Sequence, residues 1–157
     1  MDKYAPVVLR IAEQTGTPFR PASPAALEQL RDLKFPEPIV AFYARHEPAD
    51  CAEGIGMVRI WPIVDVVVEN TQGVPGICVA PYGYRVFAST YCGDAYCFNL
   101  NRMSAEGEPE VVLISHEAVG EASKADEVHR VAKPIARTLR EFLGQFEKGE
   151  VDQECIY

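Results

Sequence analysis

Long apolar runs are absent from this sequence. No stretch approaches the roughly 18 consecutive apolar residues that a bilayer-spanning helix needs. Residues 1–6 (MDKYAP) form neither the basic nor the apolar region of a secretory signal. We therefore expect a cytoplasmic protein that makes no contact with a membrane.

Motifs that bind phosphate or activate a serine are missing as well. Residues 54–56 (GIG) match only a fragment of a dinucleotide-binding fingerprint, and no Lys-Ser or Lys-Thr pair follows them. No Gly-x-Ser-x-Gly turn occurs in the chain. The sequence therefore predicts no cofactor, and none of the usual nucleotide-dependent or hydrolase chemistry.

Cysteine lacks a metal-binding pattern. The five cysteines lie at positions 51, 78, 92, 97 and 155, an odd number in a chain that is large enough to fold without disulfides. Cys92 and Cys97 are too far apart in sequence for a zinc knuckle, and no second pair or nearby histidine completes four ligands. We predict free thiols and no metal site. One enzymatic hypothesis stays open, in which His116 activates Cys92 as a nucleophile.

Basic residues are fewer than acidic residues in this sequence. The 157-residue chain has 15 Lys and Arg against 23 Asp and Glu, a net charge of −8. A surface of this sign repels a nucleic-acid backbone and steers a basic protein toward it. We therefore predict a basic protein as the partner and no binding to nucleic acid. The length of the chain and its 48 % of hydrophobic residues predict a single domain with its own core over residues 1–157.

Hydrophobic periodicity divides the chain into a helical first third, a run of strands and a final helix over residues 128–148. Apolar, often β-branched stretches bounded by turn residues predict the strands. These strands cover residues 57–61, 63–68, 84–89, 95–100 and 111–115. Because the strands follow one another through short turns, we predict an α+β fold with a mainly antiparallel central sheet. The N-terminal helices and the C-terminal helix pack against that sheet.

Acidic residues and tyrosines are the candidates for contact with a basic partner. Residues 106–127 hold seven acids against one lysine, so we expect an exposed connection there, and an acidic tail follows at residues 149–157. Acidic charge steers a basic protein, while tyrosines in or beside turns anchor it. The predicted partner-binding residues are Glu69, Tyr82, Tyr84, Tyr91, Asp94, Glu106 and Glu108.

Three motifs resemble the SUKH superfamily, which includes bacterial immunity proteins and a fungal cell-wall-assembly regulator. Residues 33–43 (LKFPEPIVAFY) are similar to its Leu-Pro signature, which leads into a helix that ends in an aromatic pair. Residues 93–100 (GDAYCFNL) resemble its Gly-Asp turn and aromatic strand, with Asn99 where the family usually has Asp. Residues 136–143 (ARTLREFL) resemble its closing helix. The similarity covers residues 24–147.

The resemblance implies an α+β fold without a cofactor and, for many bacterial members, neutralisation of a toxin that is often a nuclease or deaminase. We therefore predict a non-enzymatic immunity protein that binds a basic cognate toxin directly. Two alternatives stay open: an intracellular scaffold or regulatory protein on the same fold, and the small enzyme that uses Cys92 with His116. The sequence leaves monomer and dimer undecided.

Overall fold

The computed structural model describes residues 2–152, and helices and strands alternate along them. The helices are α1 (Ala5–Thr15), α2 (Pro24–Asp32), α3 (Glu37–Arg45), α4 (Ile63–Thr71), α5 (Gly76–Val79), α6 (Ala125–Val131) and α7 (Leu139–Lys148). The strands are β1 (Phe19–Arg20), β2 (Glu47–Pro48), β3 (Ala52–Glu53), β4 (Arg59–Ile60), β5 (Tyr84–Ser89), β6 (Ala95–Met103), β7 (Pro109–Ile114) and β8 (Lys133–Ala136). The α+β class is therefore confirmed. None of these helices is long and apolar enough to span a bilayer.

Six strands form one antiparallel sheet in the order β3-β4-β5-β6-β7-β8, and β1 pairs with β2 separately. Neighbours in the large sheet are consecutive in the chain, as the short turns between the strands predicted. The predicted hairpin is confirmed, since β5 and β6 pair from Tyr84 opposite Asn99 to Ser89 opposite Ala95. Among the described residues, β3 and β8 are the edge strands of this sheet.

The two faces of the large sheet carry cores of different size. On the first face, Phe87, Phe98 and Leu113 join the main core with buried residues of α1, α2, α3, α4 and α7. On the second face, Cys97 and Val112 belong to a smaller cluster that includes residues of α5 and α6. Because side chains alternate along a strand, neighbouring residues of β6 and β7 serve opposite faces.

The prediction of a strand at residues 63–68 is wrong, because α4 occupies them. The buried residues of α4 are Ile63, Val66 and Asn70, at the three- and four-residue spacing of a helix face. The β-branched run suggested a strand by propensity alone. Propensity is a weak guide where tertiary packing favours the other structure.

Two polar contacts hold α4 in place. The N–H of Ile63 donates to the Glu47 carboxylate at 2.8 Å, which satisfies a free donor of the first helical turn. The buried Asn70 amide donates to the carbonyls of Val66 and Val86 and accepts from the Val86 N–H, each at 2.8 Å. Asn70 therefore fastens the helix to β5 by a fully paired amide.

Three other predicted boundaries also need correction. Residues 128–148 are not one helix: α6 ends at Val131, the edge strand β8 holds Pro134, and α7 follows. The strand predicted at residues 57–61 shortens to β4. Residues 106–127 are not simply an exposed connection, because they contain β7, whose central residues are buried.

The prediction of free thiols is wrong for one cysteine. Cys92 is disulfide-bonded, whereas Cys51, Cys78 and Cys97 are free. The acidic tail begins on the body of the protein, since the hydroxyl of Tyr96 donates to the backbone carbonyl of Asp152 at 2.7 Å. The rest of the tail, residues 153–157, lies outside the described residues.

Candidate partner-binding surface

The seven predicted partner-binding residues lie in several places rather than on one surface. Tyr91 and Asp94 lie together in and beside the β5–β6 turn, and Glu106 and Glu108 lie in the connection between β6 and β7. The remaining three are Glu69 on α4, Tyr82 before β5 and Tyr84 at the start of β5. The structure therefore brings only subsets of them together.

Several of these residues are occupied inside the protein. Glu108 is buried and accepts hydrogen bonds from Lys3 Nζ at 2.5 Å and from the Tyr4 hydroxyl at 3.1 Å. Burial raises the pKa of Tyr4, and the Glu108 charge raises it further, so the hydroxyl stays protonated and donates. Tyr84 is also buried, and the Tyr82 hydroxyl donates to the Ser123 carbonyl at 2.9 Å. These side chains hold the fold together.

Three chain segments meet at the end of the sheet that carries Tyr91. Arg59 of β4 pairs with Ser89 of β5, and the Arg59 side chain reaches the Tyr91 ring, so the β3–β4 turn and the β5–β6 turn lie at the same end of the sheet. The β5–β6 turn lies next to the segment after β7, because Ala95 pairs with Ile114. We call this area, formed by residues 53–59, 90–94 and 115–117, the loop-end surface.

Large apolar side chains are exposed on the loop-end surface. Ile55 is 60 % exposed, Tyr91 55 % and Met57 46 %. The Arg59 guanidinium lies 5.6 Å from the centre of the Tyr91 ring, and its Nε lies 3.4 Å from the Glu53 carboxylate. This cation–π contact orders the ring without covering it. An exposed, ordered aromatic side chain is typical of an interface anchor.

The β3–β4 turn presents Met57 in an unfavourable backbone conformation. Gly56 has φ 78° and Met57 has φ 64°, so a left-handed glycine is followed by a left-handed methionine. The turn is closed by the Met57 N–H, which donates to the Gly54 carbonyl at 3.1 Å. A side-chain-bearing residue in this region costs about 1 kcal/mol relative to glycine. Met57 is thus one of two residues other than glycine with a positive φ among residues 2–152, the other being Lys34.

Asp94 organises the neighbouring turn. Its Oδ1 accepts from the His116 backbone N–H at 3.0 Å and lies 2.7 Å from His116 Nδ1. Its backbone N–H donates to Thr90 Oγ1 at 3.1 Å, and Gly93 supplies the positive φ of 95° that the turn requires. The carboxylate therefore ties the β5–β6 turn to the segment after β7. Asp94 positions the loop-end surface from within.

The hypothesis of a Cys92 nucleophile is not supported by this geometry. Cys92 Sγ lies 3.5 Å from Asp94 Oδ2, but the sulfur is disulfide-bonded and carries no thiolate. Burial raises the pKa of Cys51, Cys78 and Cys97, the last against the opposing charge of Arg85. None of these described thiols is activated for attack.

The comparisons with known proteins agree with the fold. The sequence profile of the SMI1 / KNR4 family (SUKH-1) matches residues 18–145. The chain belongs to this SUKH-1 family. Membership confirms the SUKH resemblance and fits an immunity or a regulatory domain. No curated protein matches the chain.

Two exposed residues of the loop-end surface, Ile55 and Met57, were not predicted from the sequence. Residues 54–56 resemble a fragment of a nucleotide-binding motif, and Met57 was predicted to begin a strand. A signal was present, because Ile55 lies between two glycines in a turn, where a buried role is rare. The left-handed conformation of Met57 has no sequence signal.

Proposed function

We propose that this SUKH-1 domain is a non-enzymatic immunity protein that neutralises a basic protein toxin, of nuclease or deaminase type, by covering its active site. The observation that carries the proposal is the loop-end surface. It exposes Tyr91 and the strained Met57 at one end of the sheet, on a protein of net charge −8. Neither side chain belongs to either of the two hydrophobic cores of the described residues.

Electrostatics supports a basic occupant. Glu53, Glu117 and Glu150 are exposed in or beside the loop-end surface, which therefore carries acidic groups around its apolar centre. A toxin that acts on nucleic acid needs a basic channel for the phosphate backbone. Acidic groups around an apolar anchor complement such a channel, speed the encounter and disfavour acidic partners.

The experiment is a pull-down from cells of the native host with the wild-type protein as bait, at low and moderate salt. Captured chains are identified by mass spectrometry, and the nuclease or deaminase activity of any basic chain is measured with and without the bait. Tyr91→Ala tests the surface. Val64→Ala is the matched control, because it also trims an exposed apolar side chain, on α4.

We expect one basic toxin that salt releases, that the wild-type protein inhibits and that Tyr91→Ala captures poorly. Capture of proteins whose activity the domain does not inhibit would contradict neutralisation and favour the scaffold alternative. Equal capture by Tyr91→Ala and wild type would leave the toxin as partner but overturn the surface assignment.

A further inference from the structure

A cleft of about 420 Å³, lined by both polar and apolar side chains, opens on the second face of the sheet. It lies near the Asn99–Glu110 pair of β6 and β7, several residues from the loop-end surface. Its lining includes Tyr84, Asn99, Arg102, Glu110, His129 and Pro134. A concavity of this volume fits a small molecule or one large side chain.

The Glu110 carboxylate is the unusual feature of this cleft. Its side chain is only 15 % exposed. Among the described residues it accepts a single hydrogen bond, from Asn99 Nδ2 at the long distance of 3.4 Å. An ionised carboxylate offers about four acceptor sites, and burial without partners is costly. Glu110 therefore keeps spare acceptor capacity although its side chain is largely buried.

Arg102, which also lines the cleft, forms a long ion pair with this carboxylate. Its Nε lies 3.8 Å from Glu110 Oε2, which is too far for a hydrogen bond. Arg102 lies where β6 loses its register with β7, between Asn99 and Met103, and its side chain is exposed. The chain thus holds its own guanidinium near this carboxylate at ion-pair distance but without a hydrogen bond.

The far wall of the cleft is fixed by α6. The Tyr84 hydroxyl lies 2.7 Å from His129 Nδ1, and this contact joins the sheet to the helix. Ala132 and Pro134 add apolar surface beside it. A flat cation can lie along such a wall while its donors point at the carboxylate.

We propose that this cleft is a binding site for a guanidinium group, with Glu110 as the acceptor and Arg102 as an intramolecular competitor. A guanidinium presents a planar fork of donors that pairs with both oxygens of one carboxylate. A calcium or magnesium ion would need more oxygen ligands than this single carboxylate offers. The guanidinium belongs either to an arginine side chain of a protein or to a free arginine-like molecule. The proposal does not depend on the toxin.

The test is a titration of the ¹⁵N-labelled protein, followed by NMR, with three probes. N-acetyl-arginine methylamide represents a side chain within a polypeptide, free arginine represents a small molecule, and N-acetyl-lysine methylamide controls for charge alone. Glu110→Gln removes the acceptor charge, and Arg102→Gln removes the competitor. Glu13→Gln is the matched control, because it makes the same charge change at an exposed site on α1.

We expect shifts at the cleft with both arginine probes and little response to the lysine probe. Glu110→Gln should weaken binding by roughly tenfold or more, because a charged acceptor is lost, and Arg102→Gln should tighten it by a few fold. The tighter of the two arginine probes identifies the source of the guanidinium.

Three results would overturn the site: no shifts in wild type and Arg102→Gln, equal binding of the lysine probe, or unchanged binding after Glu110→Gln. If Glu110→Gln does not fold, Arg102→Gln still tests the site. Tighter binding of the arginine probes by this variant would support the site, and unchanged or weaker binding would overturn it.

Discussion

The two ends of the central sheet both carry residues predicted to bind a partner, yet the structure uses them differently. At the end formed by the β6–β7 connection, Glu108 is buried and paired with Lys3 and Tyr4. At the loop end, Tyr91 and Met57 are exposed, and Met57 holds a left-handed backbone. Residues that satisfy one another stabilise the fold, whereas the exposed residues at the loop end remain available for the contact that we propose.

The largest expected effect concerns Glu108, at the end of the sheet formed by the β6–β7 connection. Glu108→Ala removes the acceptor of the Tyr4 hydroxyl and of Lys3, so two polar groups lose their partner. We expect a loss of about 2 kcal/mol in the free energy of unfolding, measured by urea denaturation. Affinity for the toxin should stay at the wild-type value. If Glu108→Ala stays as stable as the wild-type protein but binds the toxin more weakly, then Glu108 serves partner binding and not the stability of the fold.

A smaller effect of opposite sign tests the strain at the loop end. Met57→Gly places glycine at a positive φ and should raise the free energy of unfolding by roughly 0.5–1 kcal/mol. Lys34→Gly is the matched control, since Lys34 also has a positive φ of 65° and is exposed elsewhere. Urea denaturation should show a similar gain for both variants, but only Met57→Gly should weaken toxin binding. Equal affinities of Met57→Gly and the wild-type protein for the toxin would mean that the strained conformation of Met57 does not serve toxin binding.

The smallest effect concerns an acid that belongs to neither end. Burial raises the pKa of Glu69, and the Asp65 charge raises it further. The ionised form therefore costs stability once the pH exceeds the folded-state pKa, whereas below the unfolded-state pKa that cost is absent. Glu69→Gln should add roughly 0.5 kcal/mol at neutral pH, after allowance for solvent screening, and nothing below about pH 4. A gain that persists in acid would point to packing instead of charge.

The sequence was informative where structure is local. The Gly93-Asp94 turn and its flanking apolar stretches predicted the β5–β6 hairpin, because turn chemistry and alternation act over a few residues. The helix α4 was mispredicted because its helical state depends on Glu47 and Val86, which are distant in sequence.

The candidate site was predictable only in part, for the same reason. The position of Tyr91 beside a turn made it a candidate for partner contact, and its side chain is exposed. Glu108 looked equally available in sequence, yet Lys3 and Tyr4 are brought to it by the tertiary fold. The exposure of Ile55 and the conformation of Met57 follow from a turn whose geometry no local motif specifies.

The most direct measurement is a calorimetric titration of the captured toxin with the wild-type protein and with Tyr91→Ala, paired with unfolding curves of both. The account predicts that Tyr91→Ala weakens binding by roughly tenfold or more, as loss of an aromatic anchor does, while the free energy of unfolding changes by less than about 0.5 kcal/mol. Equal affinities of the two proteins for the toxin would contradict the account.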